Sequence, residues 1–213
     1  MDKIIILGRG ASLERLKEFK NEDNIDTIIL VNEFWGAPHI PLAYCEDELI
    51  HNFIKDKKII LIMTPYCEAR KWGDVPKLKL FKETYNVIDS YKTQFSKETR
   101  VGKNSEICKI LPDELIKPFK HMDKHSLNCG SLGVALSYAD KILKCKNIII
   151  FGLDFYEKEY YLTNTHDYKT EMKISNTIKN DWYNFFEYHS HIHFTIYSLA
   201  EISHFNNLNN VTI

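Results

Sequence analysis

The residues with the clearest chemical potential open the chain. A short apolar run, Lys3–Leu7, breaks at Gly8-Arg9-Gly10-Ala11-Ser12-Leu13. Two glycines let the backbone turn tightly and approach a ligand closely. A helix starting after the turn would aim free N–H groups and positive dipole at that point, which suits a phosphate. Arg9, between the glycines, can add a bidentate contact. The plainer alternative is a turn that only joins strand to helix. A dinucleotide fingerprint would want a third glycine near Leu13, and none is there, although Glu33 could still hold a ribose as in a nicotinamide-dependent oxidoreductase. The Gly-Lys-Ser/Thr ending of a P-loop is also missing, which excludes an ordinary P-loop ATPase.

Other groups invite a second test. In an extended strand, His189, His191 and His193 would share one face and could seat zinc or iron. Polar–apolar alternation is equally what a strand entering a sheet displays, so the expectation is no metal. Glu46-Asp47-Glu48 reads as a solvated surface rather than a metal cradle. Tyr156 follows an apolar run and is either a core aromatic or a site group. Tyr160 and Tyr161 are adjacent, so in extended chain only one faces a given side. Trp35, Trp72 and Trp182 read as core or cleft walls. The five cysteines form no CxxC pair, which argues for free thiols in a reducing cytoplasm and against a thiolate zinc site.

These groups need positioning elements. Strand-like runs are expected at Lys3–Leu7, Thr27–Val31, 58–63, Asn86–Ile88, Asn147–Phe151 and His193–Tyr197. Helical patterns follow Ser12, a good N-cap, and cover 130–143 and 170–188. Residues 32–41 read as a helix-poor loop, and 89–128 as polar surface helices and loops. Continuous apolar strands alternating with helices predict a doubly wound, mainly parallel α/β sheet with helices on both faces, Rossmann-like. In such sheets ligands lie beyond the carboxyl ends of the strands. The first turn, residues 32–35, residues 64–66 and residues 152–156 all fall at such ends.

The chain has 213 residues, 44% hydrophobic and 27% charged, with a formal net charge of -1. One domain over residues 1–213 is expected. The charge balance lacks the basic excess of a general nucleic-acid binder. No apolar run approaches the ~20 residues of a membrane span, and the first residues read as a buried strand rather than a signal peptide.

Taken together, the motifs resemble a known family. Gly8-Arg9-Gly10-Ala11-Ser12-Leu13 resembles the GNGPSL turn of bacterial sialyltransferases of glycosyltransferase family 42. Val31-Asn32-Glu33-Phe34-Trp35 is similar to that family's CNQFYF segment. Ser131-Leu132-Gly133, then Gly152-Leu153-Asp154-Phe155-Tyr156, resemble its TSG…GIDFY block. The resemblance covers roughly residues 1–70 and 129–200. It implies a GT-A-type variant of the doubly wound fold and an inverting, metal-independent transfer from a CMP-activated sugar donor to a glycan acceptor. No cofactor is implied.

Carried across, Gly8, Arg9, Gly10, Ser12 and Asn32 would contact the nucleotide, and Ser131 and Gly133 would lie against it. Tyr156 and Tyr161 (or Tyr160) would hydrogen-bond the leaving phosphate. His166 would be the general base, a role its unperturbed pKa near ~6.5 suits. A small lid is expected around residues 157–170. Arg9, Ala11, Cys45 and Leu132 depart from the family pattern, which leaves sialic acid and a related acidic sugar such as Kdo both open as donors. A pterin or nucleotide diphosphokinase-like transferase and an inactive nucleotide-binding module are the alternatives. The expected location is the cytoplasm, with the inner face of the membrane and homo-oligomerisation left open.

Overall fold

The six apolar runs become parallel strands, and a short seventh joins them at the end of the chain. A computed structural model of the chain describes residues 2–20, 25–31, 47–62, 86–88, 125, 129–158, 161 and 175–213. The strands are β1 (Lys3–Leu7), β2 (Thr27–Val31), β3 (Lys58–Ile62), β4 (Asn86–Ile88), β5 (Asn147–Phe151), β6 (His193–Tyr197) and β7 (Val211–Thr212). Their spatial order is β4-β3-β2-β1-β5-β6-β7, and every pairing is parallel. The order runs outward in one direction from β1 and in the other from β5. The switch point of this doubly wound sheet therefore lies between β1 and β5, where a crevice is expected. Ile4–Leu7 and Ile148–Phe151 are all buried because helices cover both faces of the centre.

Three α-helices are described: α1 (Glu48–Ile54), α2 (Gly130–Lys141) and α3 (Ser175–Tyr188). On one face, Phe19 packs its ring against Phe53 of α1, Phe151 of β5 and Tyr197 of β6. On the other, Trp182, Phe185 and Phe186 of α3 meet one another and Phe194 of β6. The Cys129 thiol donates to the Asp181 carbonyl and ties the start of α2 to α3. Two aromatic layers thus sandwich the sheet.

Three details differ from the sequence reading. The segment after the first turn is a 3-10 helix, Ala11–Lys17, whose N-cap is Gly10; Ser12 lies inside it. Asp47, read as solvated surface, caps α1 by accepting from Ile50 N at 2.9 Å. The polar tail contributes β7 as a short edge strand beside β6. Met63 and residues 170–174, expected to extend a strand and a helix, lie outside the described residues. So do residues 159–160 and 162–170 of the expected lid. No helix among the described residues is long and apolar enough to cross a membrane.

Candidate active site

Two turns meet at the switch point. Gly8 N donates to the Phe151 carbonyl at 2.8 Å and Gly10 N to the Gly152 carbonyl at 3.0 Å. Gly152 has φ +77, and a Cβ there would fall 2.6 Å from the Gly8 carbonyl carbon. A Cβ on Gly8 would fall 2.7 Å from the Gly152 oxygen. Glycine is required here because the two backbones lie against each other.

Asp154 locks this seam. Its Oδ2 accepts from Ser12 N at 2.7 Å, and its Oδ1 from Leu199 N at 2.7 Å and Ser198 Oγ at 3.1 Å. It is 3% exposed. Ser12, fully buried, accepts from Gly152 N at 2.9 Å through its hydroxyl. Its side chain therefore braces the two turns. With Leu13 N donating to the Gly10 carbonyl, the amides of Gly8, Gly10, Ser12 and Leu13 all have partners inside the protein. A carboxylate of the chain itself sits at the start of the 3-10 helix, where the sequence reading expects a phosphate.

Above the seam lies a cavity of about 190 Å³. Gly8, Arg9 and Gly10 line it from the first turn and Val31 from the end of β2. Cys129, Gly130 and Leu132 contribute the start of α2. Residues 152–156 and Lys158 form the opposite wall, closed by Ile178 and Trp182 of α3. Arg9 and Lys158 are cationic. Among the described residues the carboxylate of Asp154 is the acid of the wall, and both its oxygens already accept hydrogen bonds from the protein.

The wall is strained at a telling place. Phe155 and Tyr156 have φ +52 and +60. Left-handed backbone is an outlier for bulky residues and costs of order 1–3 kcal/mol each. The surroundings hold it. Phe155 is buried edge-on to Trp182 and Phe205. Glu157 N donates to the Asp154 carbonyl at 2.9 Å. The Glu157 carboxylate accepts from Lys179 Nζ at 2.5 Å and from Glu201 N at 3.0 Å. Burial pushes the Glu157 pKa up, but Lys179, the Glu201 amide and Ser175 outweigh it and hold it below the usual value. Such strain gathers at functional sites, and here it presents Tyr156 to the cavity.

Of the expected site residues, Gly8, Arg9, Gly10 and Tyr156 line one cavity. Ser131 lies in the first turn of α2. Gly133 is buried in the same helix, donates to the Cys129 carbonyl at 3.4 Å and does not line the cavity. Tyr161 is placed elsewhere. Its N–H donates to the Arg9 carbonyl at 3.0 Å. Burial, then the nearby Asp47 carboxylate, raise the pKa of its phenol. Asn32 and His166 lie outside the described residues, as do Glu33, Cys45 and Tyr160. Sequence reasoning missed Asp154, Lys158, Cys129 and the Glu157–Lys179 pair. Asp154 could have been found, as a lone acid directly after a buried strand and a glycine.

No protein-family model matches the chain, and neither does any curated protein. Solved structures give distant similarities. The sialyltransferase CST-II in complex with a trisaccharide acceptor and CMP aligns over 100% of this chain and 86% of its own, with 15% identity and a TM-score of 0.36. CstII from Campylobacter jejuni with CMP gives 16% identity over 100% and 86%, also at 0.36. The CMP-3FNeuAc complex of that enzyme gives 16% identity over 100% and 87%, at 0.37. Superpositions this loose carry no weight for ligand or activity. The fold described above stands on its own strand order and register.

Proposed function

We propose that the chain is a glycosyltransferase that passes an acidic sugar from a CMP-activated donor to a glycan hydroxyl, with inversion and without a metal at the transfer site. The reading joins the family-like motifs to one observation, the switch-point cavity with Arg9 and Lys158 in its walls. Arg9 and Lys158 line the same cavity, where they would meet the donor phosphate as it arrives and as it leaves.

Transfer then proceeds as a single displacement. The acceptor oxygen attacks the anomeric carbon, and the bond from that carbon to the phosphate oxygen breaks. CMP departs with the bonding pair. Charge growing on the leaving oxygen is met by the Tyr156 hydroxyl, aided by Arg9 and Lys158; donors aimed at developing charge are worth more than donors that bind both states equally. His166 takes the acceptor proton. Asn32 contacts the nucleotide, and the start of α2, carrying Ser131, flanks it.

Calorimetric titration with CMP, ATP and NAD, with and without Mg²⁺, tests the reading. CMP should bind without metal, and Arg9→Ala should weaken it most at low salt, where screening is least. Incubation with CMP-sialic acid or CMP-Kdo and glycan acceptors should release CMP, and His166→Ala should slow this by ~10²–10⁴-fold while CMP still binds. Binding of Mg²⁺-ATP without binding of CMP would overturn the proposal in favour of a diphosphokinase-like transferase. CMP binding without turnover of either donor would leave a binding module.

A further inference from the structure

A second cluster lies at the opposite end of the sheet. α2 and α3 start beside the cavity and run away from it, and the chain after α3 re-enters the sheet at β6. Near the end of α2 stands Asp140, and in the turn between α3 and β6 stand His189 and His191. One ligand atom from each lies within 4.8 Å of the others. His191 Nε2 is already 3.2 Å from Asp140 Oδ1. His193, expected to complete a row of three imidazoles on one strand face, belongs elsewhere. The chain is not extended from 189 to 192, and His193 Nε2 lies 3.1 Å from Thr212 Oγ1 on β7. An acid from a neighbouring helix takes its place.

We infer that Asp140, His189 and His191 form a binding site for a single Zn²⁺ ion, distinct from the transfer site, that fastens α2 to the turn between α3 and β6. Two imidazoles and one carboxylate are a donor set zinc accepts, with bonds of about 2.0–2.2 Å. Tetrahedral donors then stand roughly 3.3–3.5 Å apart. The His191–Asp140 separation already matches, and the full triad needs a closure of about an ångström.

The three residues differ in freedom in a useful way. His189 is 2% exposed and packs its ring on Phe185 at 4.4 Å, so it is a fixed point. Asp140 is mostly covered, and His191 is half exposed and can rotate inward. Lys146 Nζ stands 3.9 Å from Asp140 Oδ1 on a largely exposed side chain and would swing into solvent as the ion enters. Water takes the fourth position on the His191 side.

The full-length protein, stripped with a chelator, tests this by calorimetry with Zn²⁺ and by the visible absorption of a Co²⁺-loaded sample. One ion per chain is expected, with a tetrahedral Co²⁺ spectrum and a rise in melting temperature. Asp140→Asn keeps the shape of the side chain and His191→Ala removes a half-exposed one, so both should fold normally while weakening Zn²⁺ at least tenfold. His193→Ala should leave affinity unchanged. Circular dichroism checks the buried variant His189→Ala for folding, and only a folded sample is titrated. No binding at 100 µM Zn²⁺, or binding untouched in both Asp140→Asn and His191→Ala, would overturn the inference.

Discussion

Removing the Asp154 carboxylate should loosen the seam on which the cavity rests. In Asp154→Ala the amides of Ser12 and Leu199 each lose an acceptor at 2.7 Å. Ser198 Oγ retains the Leu153 carbonyl at 2.8 Å, so its loss is small. A buried donor left unsatisfied costs ~1–3 kcal/mol, more where the lost acceptor was charged. Ser12 is fully buried and bears that cost, whereas Leu199 is 37% exposed and its amide can turn to water. The destabilisation is roughly 2–4 kcal/mol, a large share of the ~5–15 kcal/mol that holds a typical domain together. At about 2–4 °C per kcal/mol for a chain of this size, the melting temperature should fall by roughly 4–16 °C. Asp154→Asn should lie between, since its amide nitrogen must face one of the two N–H donors. Urea denaturation followed by circular dichroism measures the difference, with the exposed Glu187→Ala expected within ~0.5 kcal/mol of wild type. A loss below ~1 kcal/mol in Asp154→Ala would refute the idea that this carboxylate holds the two turns together.

Gly152→Ala should destabilise by ~3 kcal/mol or more, since it adds left-handed strain to a collision with Gly8; Gly130→Ala, at φ +62 in open space, should cost only the ~1–2 kcal/mol of backbone strain. Tyr156→Phe should lower kcat more than donor affinity, whereas Tyr161→Phe should leave kcat near wild type; steady-state kinetics with a CMP sugar separates the two. The Glu157 carboxyl sits below its ordinary 4.5 in the folded protein. Its contribution is therefore complete above about pH 4.5 and is lost as pH falls through the lower folded value. Lys179→Met should be less stable than wild type at pH 7, with the gap shrinking towards pH 3; a constant gap in pH-dependent melting would rule the ion pair out as its source.

Much of the architecture was legible because continuous apolar runs such as Asn147–Phe151 leave few options other than buried parallel strands. α3 ends at Tyr188, as its apolar stripe led one to expect. β7 was invisible: two residues, one of them polar, carry no periodicity, and their place beside β6 is a tertiary fact. At the site, the glycines of the first turn were found for a reason that proved incomplete. Their spacing is the same whether a phosphate or another stretch of backbone lies against them, and only Gly152, remote in sequence, distinguishes the two. Tyr161 was singled out by its distance along the chain from Tyr156. Spacing does not reveal that its N–H meets the Arg9 carbonyl, because that contact joins segments with no common pattern.

The seam between the two glycine turns also bears on the order in which the chain assembles. Ser12 and Asp154 are 142 residues apart, whereas the strands on either side of the seam pair with near neighbours in sequence. Closing so long a loop carries an entropic cost that grows with its length, and such contacts tend to slow folding. The two half-sheets are therefore expected to form separately, with the join between β1 and β5 as the late event. The cavity exists only after that join. A ligand that fits it reports completed folding rather than partial structure, and its appearance during refolding would lag behind the recovery of helical and strand signal.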